Sequence, residues 1–301
     1  MTFVILDLEW NGAYSRRLKG FINEIIEFGA VKVDEQFRII DTFEALIRPQ
    51  VGKKISGKIR TLTSITNEDL ECGLQFMQVT ARFGKWAGDS VLMTWGKSDI
   101  LVLIENFRYF GGGRRIPFLK RYVNLQDYCE RQLDYDRTKQ IGLSTAAQLL
   151  GIDEGGFDHH RALGDSLLSL RCLEKLHVPG SLESFVQAAD TDDFYDRMEF
   201  RTTVICDLKH PLIQPSDLSF CCDLCGHRAR RVGEWQLRNK SFRAEFLCRR
   251  CDYRFYGRVQ FKLKYEGMVV KKTVLPYRTE PESKAAPEGQ ETAEPGEAQQ
   301  E

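Results

Sequence analysis

Two carboxylates stand two residues apart at the end of an apolar stretch near the start of the chain. The stretch is Phe3-Val4-Ile5-Leu6-Asp7-Leu8-Glu9-Trp10, and its apolar and β-branched residues predict a central buried strand. Side chains at i and i+2 of a strand point to the same face, so Asp7 and Glu9 are expected side by side. Burying two like charges is costly unless a divalent cation neutralises them. Alternatively, the strand ends at the surface and both carboxylates are solvated.

Two further carboxylates and a histidine occur at predicted element boundaries. Asp99 is expected in the first turn of a helix that follows a strand. Alternatively, Asp99 has no functional role there and only interacts favourably with the helix dipole. Asp165 lies in a helix predicted from about His160 to Leu176. His160 is about 140° from Asp165 on an ideal helix, so it can approach the same site only from a loop before the helix. Residues 157–159 are expected to supply that loop.

The elements between these residues predict an α/β domain with a mixed sheet. Strands are expected at 3–10, 25–33, 37–47, 90–95 and 120–125, with longer helices at 75–87 and 160–176. Thr66 and Asp69 have the spacing of a capping box, which predicts a helix start. The polar residues 12–20 predict a loop beside the first two carboxylates. Three strands come first and helices then alternate with strands, which is typical of a mixed sheet.

Asp7-x-Glu9, Asp99 and His160-x4-Asp165 resemble, in this order, the three motifs of the DEDDh 3′–5′ exonucleases. The likeness covers about residues 1–178. Three further stretches fit the family, namely Asn23-Glu24-Ile25-Ile26-Glu27-Phe28-Gly29-Ala30, Leu62-Thr63-Ser64-Ile65-Thr66 and Gly142-Leu143-Ser144-Thr145-Ala146-Ala147. The second motif, Trp95-Gly96-Lys97-Ser98-Asp99, is similar to that of KapD-like bacterial proteins and of eukaryotic exonucleases that trim small RNAs and histone messages. Trp10 and His159 depart from the pattern at positions that concern substrate preference.

The resemblance implies a ribonuclease H-like fold with a five-stranded mixed sheet and a 3′–5′ exonuclease that uses two Mg²⁺ or Mn²⁺ ions. It implies that Asp7 bridges the ions, that Glu9 and Asp165 complete one site, and that Asp99 holds the second ion through water. His160 would take the proton from the attacking water. One alternative is a DNA-trimming or proofreading exonuclease. Another is a non-catalytic nucleic-acid-binding protein with a vestigial nuclease fold, against which the complete set of five residues argues.

Single-stranded nucleic acid, with RNA favoured, is the expected substrate, although no residue can be assigned to a 2′-hydroxyl. Trp10 and Phe21 could stack on terminal bases, or they could pack in the core. Lys97 and the cations Arg16, Arg17 and Lys19 could meet phosphates, or they could be solvated surface charges.

Four cysteines in the second half of the chain have the spacing of zinc ligands. Cys222 and Cys225 form one Cys-x2-Cys pair and Cys248 and Cys251 form another, with 22 residues between the pairs. This pattern predicts one structural Zn²⁺ in a small β zinc ribbon. Residues 222–273 contain fourteen Lys or Arg and five Asp or Glu, on alternating strands that predict one basic face with aromatic residues. Such a face suits nucleic acid, although its charges could serve only solubility.

Composition separates the chain into regions that the zero net charge conceals. We expect an exonuclease domain at 1–178, a linker or packing arm at 179–217, a basic zinc ribbon at 218–278 and a disordered acidic tail at 279–301. No stretch reaches the roughly 18 apolar residues of a membrane span, and no secretory signal precedes the first strand. Four of nine cysteines form a metal pattern, which favours a reducing, cytoplasmic setting. The oligomeric state is not predicted.

Overall fold

The apolar stretch at the start of the chain forms a strand, β1 (Phe3–Ser15), in the middle of a sheet. The computed structural model describes residues 1–135, 140–155 and 160–277. The chain divides into two units, residues 1–200 and the residues from 201 onward, and each has its own apolar core. The functional boundaries expected at 178 and 217 stay predictions.

The first unit combines a sheet with helices on both faces. Its further strands are β2 (Gly20–Val33), β3 (Ile39–Leu46), β4 (Val91–Thr94), β5 (Arg121–Asn124) and β6 (Gln187–Ala188). Its helices are α1 (Gly57–Thr63), α2 (Asn67–Glu71), α3 (Phe76–Ala87), α4 (Ser98–Asn106), α5 (Leu125–Gln132), α6 (Leu143–Leu149), α7 (Ala162–Leu176) and α8 (Asp192–Glu199). The predicted capping box of Thr66 and Asp69 begins α2.

The sheet order is β3-β2-β1-β4-β5-β6. β1 pairs with β2 in the antiparallel sense and with β4 in the parallel sense, so the sheet is mixed, as predicted. The five predicted strands are joined at the edge by a sixth of only two residues, β6. The first unit therefore has the mixed α/β, ribonuclease H-like fold.

Side-chain alternation along β1 separates two cores. Leu6 and Leu8 pack into the core beneath α3 and α4, whereas Phe3 and Ile5 pack into the core beneath α5 and α7. Asp7 continues the second face, toward α7, where the apolar layer ends. Because side chains alternate along β1, Asp7 occupies the position after Phe3 and Ile5 on the same face.

Two predicted boundaries were wrong. The loop predicted at 12–20 is only a four-residue turn at 16–19, because β1 and β2 continue to pair up to Ser15 and Gly20. The helix predicted from about His160 begins instead at Ala162. His160 has φ +59°, a left-handed conformation that cannot continue a right-handed helix.

The second unit is built on an antiparallel sheet. Its strands are β7 (Thr203–Ile205), β8 (Arg230–Arg231), β9 (Gln236–Arg238), β10 (Ser241–Cys248), β11 (Tyr253–Lys264) and β12 (Gly267–Pro276). The path β12-β11-β10-β8 carries the sheet, with β7 paired to β11 and β9 to β10. One face is covered by an aromatic core that includes Phe220, Phe246 and Phe255. None of the described helices in either unit combines the length and the apolar character that crossing a bilayer requires.

Candidate active site

β4 pairs with β1 only at Phe3–Ile5 and ends at Thr94. In the described part of the chain, the edge of β1 that carries Asp7 and Glu9 therefore has no paired strand on the β4 side. The chain then turns into α4, and Asp99 lies in the first turn of that helix. Its Oδ1 accepts a hydrogen bond of 3.2 Å from the backbone N–H of Leu8. Asp99 is buried, so the β1 backbone holds it next to the β1 carboxylates.

A glycine lets the last long helix approach the sheet closely enough to bring in the fourth carboxylate. A Cβ at Gly29 of β2 would overlap the backbone of Ala162 and Leu163 at the start of α7. Ser166 Oγ donates a 2.8 Å hydrogen bond to the Gly29 carbonyl and fixes this contact. Asp165, in the first turn of α7, is thereby held against β1.

Four carboxylates from three distant segments therefore form one acidic cluster, which consists of Asp7, Glu9, Asp99 and Asp165. Asp7, Glu9 and Asp165 each offer an oxygen, and these oxygens all lie within 4.8 Å of one another. These three side chains are partly exposed, whereas Asp99 is 4% exposed. The cluster is thus open to solvent on one side.

The acidic cluster disfavours its own ionised state. Burial, followed by the charges of Asp99 and Asp165, raises the pKa of Asp7 well above its usual value. Burial and then Asp165 raise the pKa of Glu9 to about 8. Burial raises the pKa of Asp99 to about 7, against hydrogen bonds from its own backbone N–H and that of Leu8. The charged forms therefore need a cation.

The donor set matches a hard divalent cation. All the groups of the acidic cluster offer carboxylate oxygen, which Mg²⁺ and Mn²⁺ prefer, and the described residues bring no thiolate or imidazole into the same set. Burial and the repulsion between the carboxylates raise these pKa values, so a bound divalent cation would stabilise the ionised cluster. The residues present therefore fit the divalent ions that this class of site binds.

His160 lies two residues before α7, outside the helix, as the sequence required for an approach to Asp165. Its side chain is exposed and its backbone is left-handed, which is uncommon for a residue with a Cβ. Such conformations are often found at functional sites, where the surroundings must stabilise them. His159 and the rest of the loop predicted at 157–159 lie outside the described residues.

An ion pair between the buried Glu27 and the partly exposed Arg161, which the sequence did not reveal, fixes the entry into α7. Glu27 of β2 is fully buried, and its carboxylate accepts hydrogen bonds from Arg161 Nε at 2.9 and 3.2 Å and from the Ala162 N–H at 3.1 Å. It therefore both neutralises Arg161 and caps the helix N-terminus. Glu27 also faces Glu9 across the β1–β2 ladder. A single charge within the apolar run Ile25-Ile26-Glu27-Phe28 was the signal that could have revealed it.

The three candidate substrate contacts differ in their surroundings. Trp10 is partly buried and packs on the core beneath α3 and α4, which favours core packing. Phe21 is 77% exposed, and its ring meets Tyr14 edge-on at 5.6 Å between centroids. Lys97 is exposed at the N-cap of α4, two residues before Asp99. Phe21 and Lys97 are therefore accessible to a ligand.

The four cysteines of the second unit also come together. One Sγ from each of Cys222, Cys225, Cys248 and Cys251 lies within 4.8 Å of all the others, and the Cys225 and Cys248 sulfurs are 3.6 Å apart. A tetrahedron with Zn–S bonds of about 2.3 Å has edges of about 3.8 Å. Backbone N–H groups of Cys251 and Arg250 lower the pKa of Cys248 to about 7, whereas burial raises the pKa of Cys222 and a hydrogen bond with Cys225 raises that of Cys251. A bound cation would therefore be needed to hold all four as thiolates. The set is compatible with a zinc ribbon.

Comparisons with known proteins agree with this geometry. The sequence model of the exonuclease family (RNase_T) matches residues 4–173, more than half of the chain. "Probable 3'-5' exonuclease KapD" of Bacillus subtilis (strain 168) is 29% identical over 178 residues, which are 56% of this chain and 82% of that protein. A PolC-type DNA polymerase III of Thermotoga maritima is 28% identical over 211 residues, which are 68% of this chain but only 14% of the polymerase.

Two solved structures share the fold of the first unit. The nuclease domain of 3'hExo, "a DEDDh family member, bound to rAMP", has a TM-score of 0.50 and 23% identity, with 58% of this chain and 90% of that chain covered. A 3'-exonuclease with a histone mRNA stem-loop has a TM-score of 0.50 and 22% identity, with 58% and 80% covered. With the family match, the relatives and the acidic cluster together, the chain belongs to the exonuclease family and is a DEDDh 3′–5′ exonuclease.

Proposed function

We propose that this exonuclease removes nucleotides successively from the 3′ end of single-stranded RNA, with two Mg²⁺ or Mn²⁺ ions held by the acidic cluster. The observation that carries the proposal is the convergence of Asp7, Glu9 and Asp165 within 4.8 Å, with Asp99 alongside. The RNA preference draws support from relatives whose descriptions name a histone mRNA stem-loop and rAMP. The polymerase relatives favour DNA as the second candidate.

Each member of the acidic cluster has a proposed task. Asp7 would contribute to both ion sites; Glu9 and Asp165 would complete one site, and Asp99 the other. When bound, the ions would neutralise developing negative charge and activate the nucleophile. His160, placed in an exposed position before α7, would accept the proton of the attacking water. Phe21 and Lys97 would contact the substrate, because both are exposed, whereas Trp10 is the weaker candidate.

We further propose that Cys222, Cys225, Cys248 and Cys251 hold one structural Zn²⁺ in a ribbon at 218–278. The close approach of the four sulfurs supports this assignment. We retain the domain division at 178 and 217, the acidic tail at 279–301 and a cytoplasmic setting. Thiolate ligands persist in a reducing compartment, which supports the last point.

The deciding experiment uses 5′-labelled single-stranded RNA and DNA of equal sequence, incubated with Mg²⁺ or Mn²⁺. We expect a ladder of products that shorten from the 3′ end, formed faster on RNA, and no products with Asp7→Asn or without a divalent ion. Glu71→Gln, which changes an exposed carboxylate at the end of α2, is the matched control and should leave the ladder intact. Faster shortening of DNA would transfer the proposal to the second candidate. Activity retained by Asp7→Asn would exclude the assigned metal site.

A further inference from the structure

The sheet of the second unit has one face that its core does not cover. Inward-pointing residues of β11, such as Phe255 and Val259, pack in the aromatic core, while the alternate residues point outward. The strand registers bring β10 and β12 residues beside them. We call this surface the basic sheet face; it consists of Arg243, Arg254, Tyr256, Arg258, Gln260, Lys262, Lys264 and Lys271, with Glu245.

The charges on the basic sheet face are poorly compensated. Its one carboxylate, Glu245, accepts a 2.7 Å hydrogen bond from Arg254 Nη1 and is thereby occupied. Among the described residues, no carboxylate pairs with the remaining cations, which are Arg243, Arg258, Lys262, Lys264 and Lys271. Within residues 1–135, 140–155 and 160–277, the face therefore presents five cations that form no ion pair.

Two of these cations are placed directly opposite each other. Arg243 of β10 and Arg258 of β11 are partners in the antiparallel register. Like charges at opposed positions of neighbouring strands destabilise a sheet. Arg258 Nη2 donates to Ser241 Oγ at 3.2 Å, and Arg243 Nε is buried with no hydrogen-bond partner among the described residues. An anion bound at the two guanidinium groups would offset the repulsion between them.

Aromatic rings lie beside this pair. The Arg243 guanidinium stands 3.5 Å from the centroid of the Tyr256 ring, and the Tyr256 ring stacks on Tyr277 at 5.1 Å with an interplanar angle of 20°. Both tyrosines are partly exposed. Stacked aromatic side chains beside a line of cations are the combination that binds unpaired bases and their phosphates together.

We propose that the basic sheet face binds single-stranded nucleic acid without sequence preference, with phosphates on the Arg243–Arg258 and Lys262 positions and a base against the Tyr256–Tyr277 stack. Successive outward residues of β11 are about 6.7 Å apart, so its cations form a line along which a chain of phosphates can run. The inference rests on the proposed function for its choice of ligand. It adds a second substrate contact, in the unit that does not contain the acidic cluster.

The test measures binding of 5′-fluorescein-labelled U20 to the full chain carrying Asp7→Asn, without added divalent ions, from 50 to 200 mM salt. Arg258→Ala with Lys262→Ala should weaken binding at 50 mM salt at least tenfold. Because each lost phosphate contact lowers the log–log salt slope by about 0.7, the slope should fall by about 1.4. Lys209→Ala with Arg231→Ala is the matched control, since Arg231 lies over Trp235 and Lys209 lies in the turn after β7. That control should leave the slope unchanged.

Stacking is tested separately at Tyr256. Tyr256→Ala should weaken U20 binding by at least about fivefold, whereas Tyr256→Phe, which keeps the ring, should bind as the parent does. If the cation variants weaken binding to heparin equally and Tyr256→Ala has no effect on U20, the face is a general polyanion surface and the inference is wrong. If Arg258→Ala with Lys262→Ala does not fold, Lys262→Ala with Lys271→Ala, two positions on different strands, replaces it.

Turnover of a four-nucleotide RNA separates this inference from the proposed function. With Asp7 restored, the cation variants should cleave the short RNA at the parent rate and lose activity only on long single strands. Unchanged U20 affinity in all variants would overturn the inference while the short RNA is still cleaved. Failure of the parent chain itself to cleave the short RNA would instead overturn the proposed function.

Discussion

The ionised form of Glu9 is disfavoured by burial and by Asp165, and this has a consequence for the metal-free protein. A carboxyl group whose pKa rises from its usual value near 4.5 to about 8 on folding binds a proton more tightly in the folded chain. Its stabilising contribution is therefore complete below pH 4.5 and is lost as the pH rises toward 8. A divalent ion should reverse this loss.

We expect the free energy of unfolding, measured by urea titration in the absence of divalent ions, to fall between pH 5 and pH 8. Glu9→Gln cannot ionise, so the fall should be smaller in that variant. Adding Mg²⁺ at pH 8 should stabilise the parent chain more than Glu9→Gln. A pH profile that is the same for both chains would contradict the raised pKa of Glu9.

His160 can be tested against other histidines of the same chain. His160→Asn should lower kcat by about 10²–10⁴, the usual contribution of a positioned general base, with little change in substrate affinity. His177→Asn is the control, because His177 packs against the Phe37 ring at 4.7 Å in a different part of the unit. His159→Asn should cost far less than His160→Asn. A larger loss from His159→Asn in steady-state rates would move the base by one residue.

At the scale of elements, the distance between α7 and the sheet decides whether the acidic cluster forms. Gly29→Ala adds one methyl group that would overlap the α7 backbone, so the helix must move away from β1. We expect a loss of activity of about 100-fold, as a misplacement of about 1 Å can produce, together with a lower melting temperature. Gly12→Ala adds the same methyl group in β1, where it meets nothing within 4 Å. Equal activities of the two variants, measured by product release, would refute this role of Gly29.

The Glu27–Arg161 ion pair fixes the direction in which the chain enters α7. Glu27→Gln keeps the shape of the side chain but leaves Arg161 without its full counter-charge, so the segment that carries His160 and Asp165 should loosen. We expect Mg²⁺ affinity or activity to fall by about 10- to 100-fold, the usual effect of groups that orient ligands. Glu44→Gln removes only the exposed, longer contact with Arg161 at 3.3 Å and should have little effect. Isothermal titration with Mg²⁺ distinguishes the two.

The sequence predicted the elements better than it predicted their junctions. The sequence could place Asp7 and Glu9 on one face of β1 because the alternation of side chains along a strand depends only on neighbouring residues. The junctions depend on contacts between distant residues: Tyr14 and Phe21 extend the first hairpin, and Glu27 takes the first N–H of α7. The position of Asp99 next to Asp7 and Glu9 could be predicted only from the family motif. An acidic residue in the first turn of a helix is common and does not by itself indicate a site. Gly29 lies within one of the stretches that fit the family, but its role depends on the position of α7, which the sequence does not give.

At the scale of the molecule, two units with separate cores should respond separately to metal removal. We expect native mass spectrometry to find one zinc ion per parent chain and none in Cys222→Ser. The second unit of that variant should also unfold at a lower temperature than in the parent chain. The first unit, with its own cores, should keep its melting transition and its cleavage of short RNA. Cys221→Ser is the matched control, because Cys221 is exposed and lies outside the four-sulfur set. A loss of zinc from Cys221→Ser would place the metal elsewhere.

The acidic cluster joins residues 7, 99 and 165 of the chain, so its full set of oxygens exists only after folding. An ion that binds this set binds the native protein and leaves the unfolded chain unliganded. At an ion concentration 100 times the dissociation constant, this adds about 2.7 kcal/mol to the free energy of unfolding. The fraction of molecules open to proteolysis falls about 100-fold with it. Magnesium supply would then control how long each molecule of this enzyme survives in the cell, in addition to how fast it works.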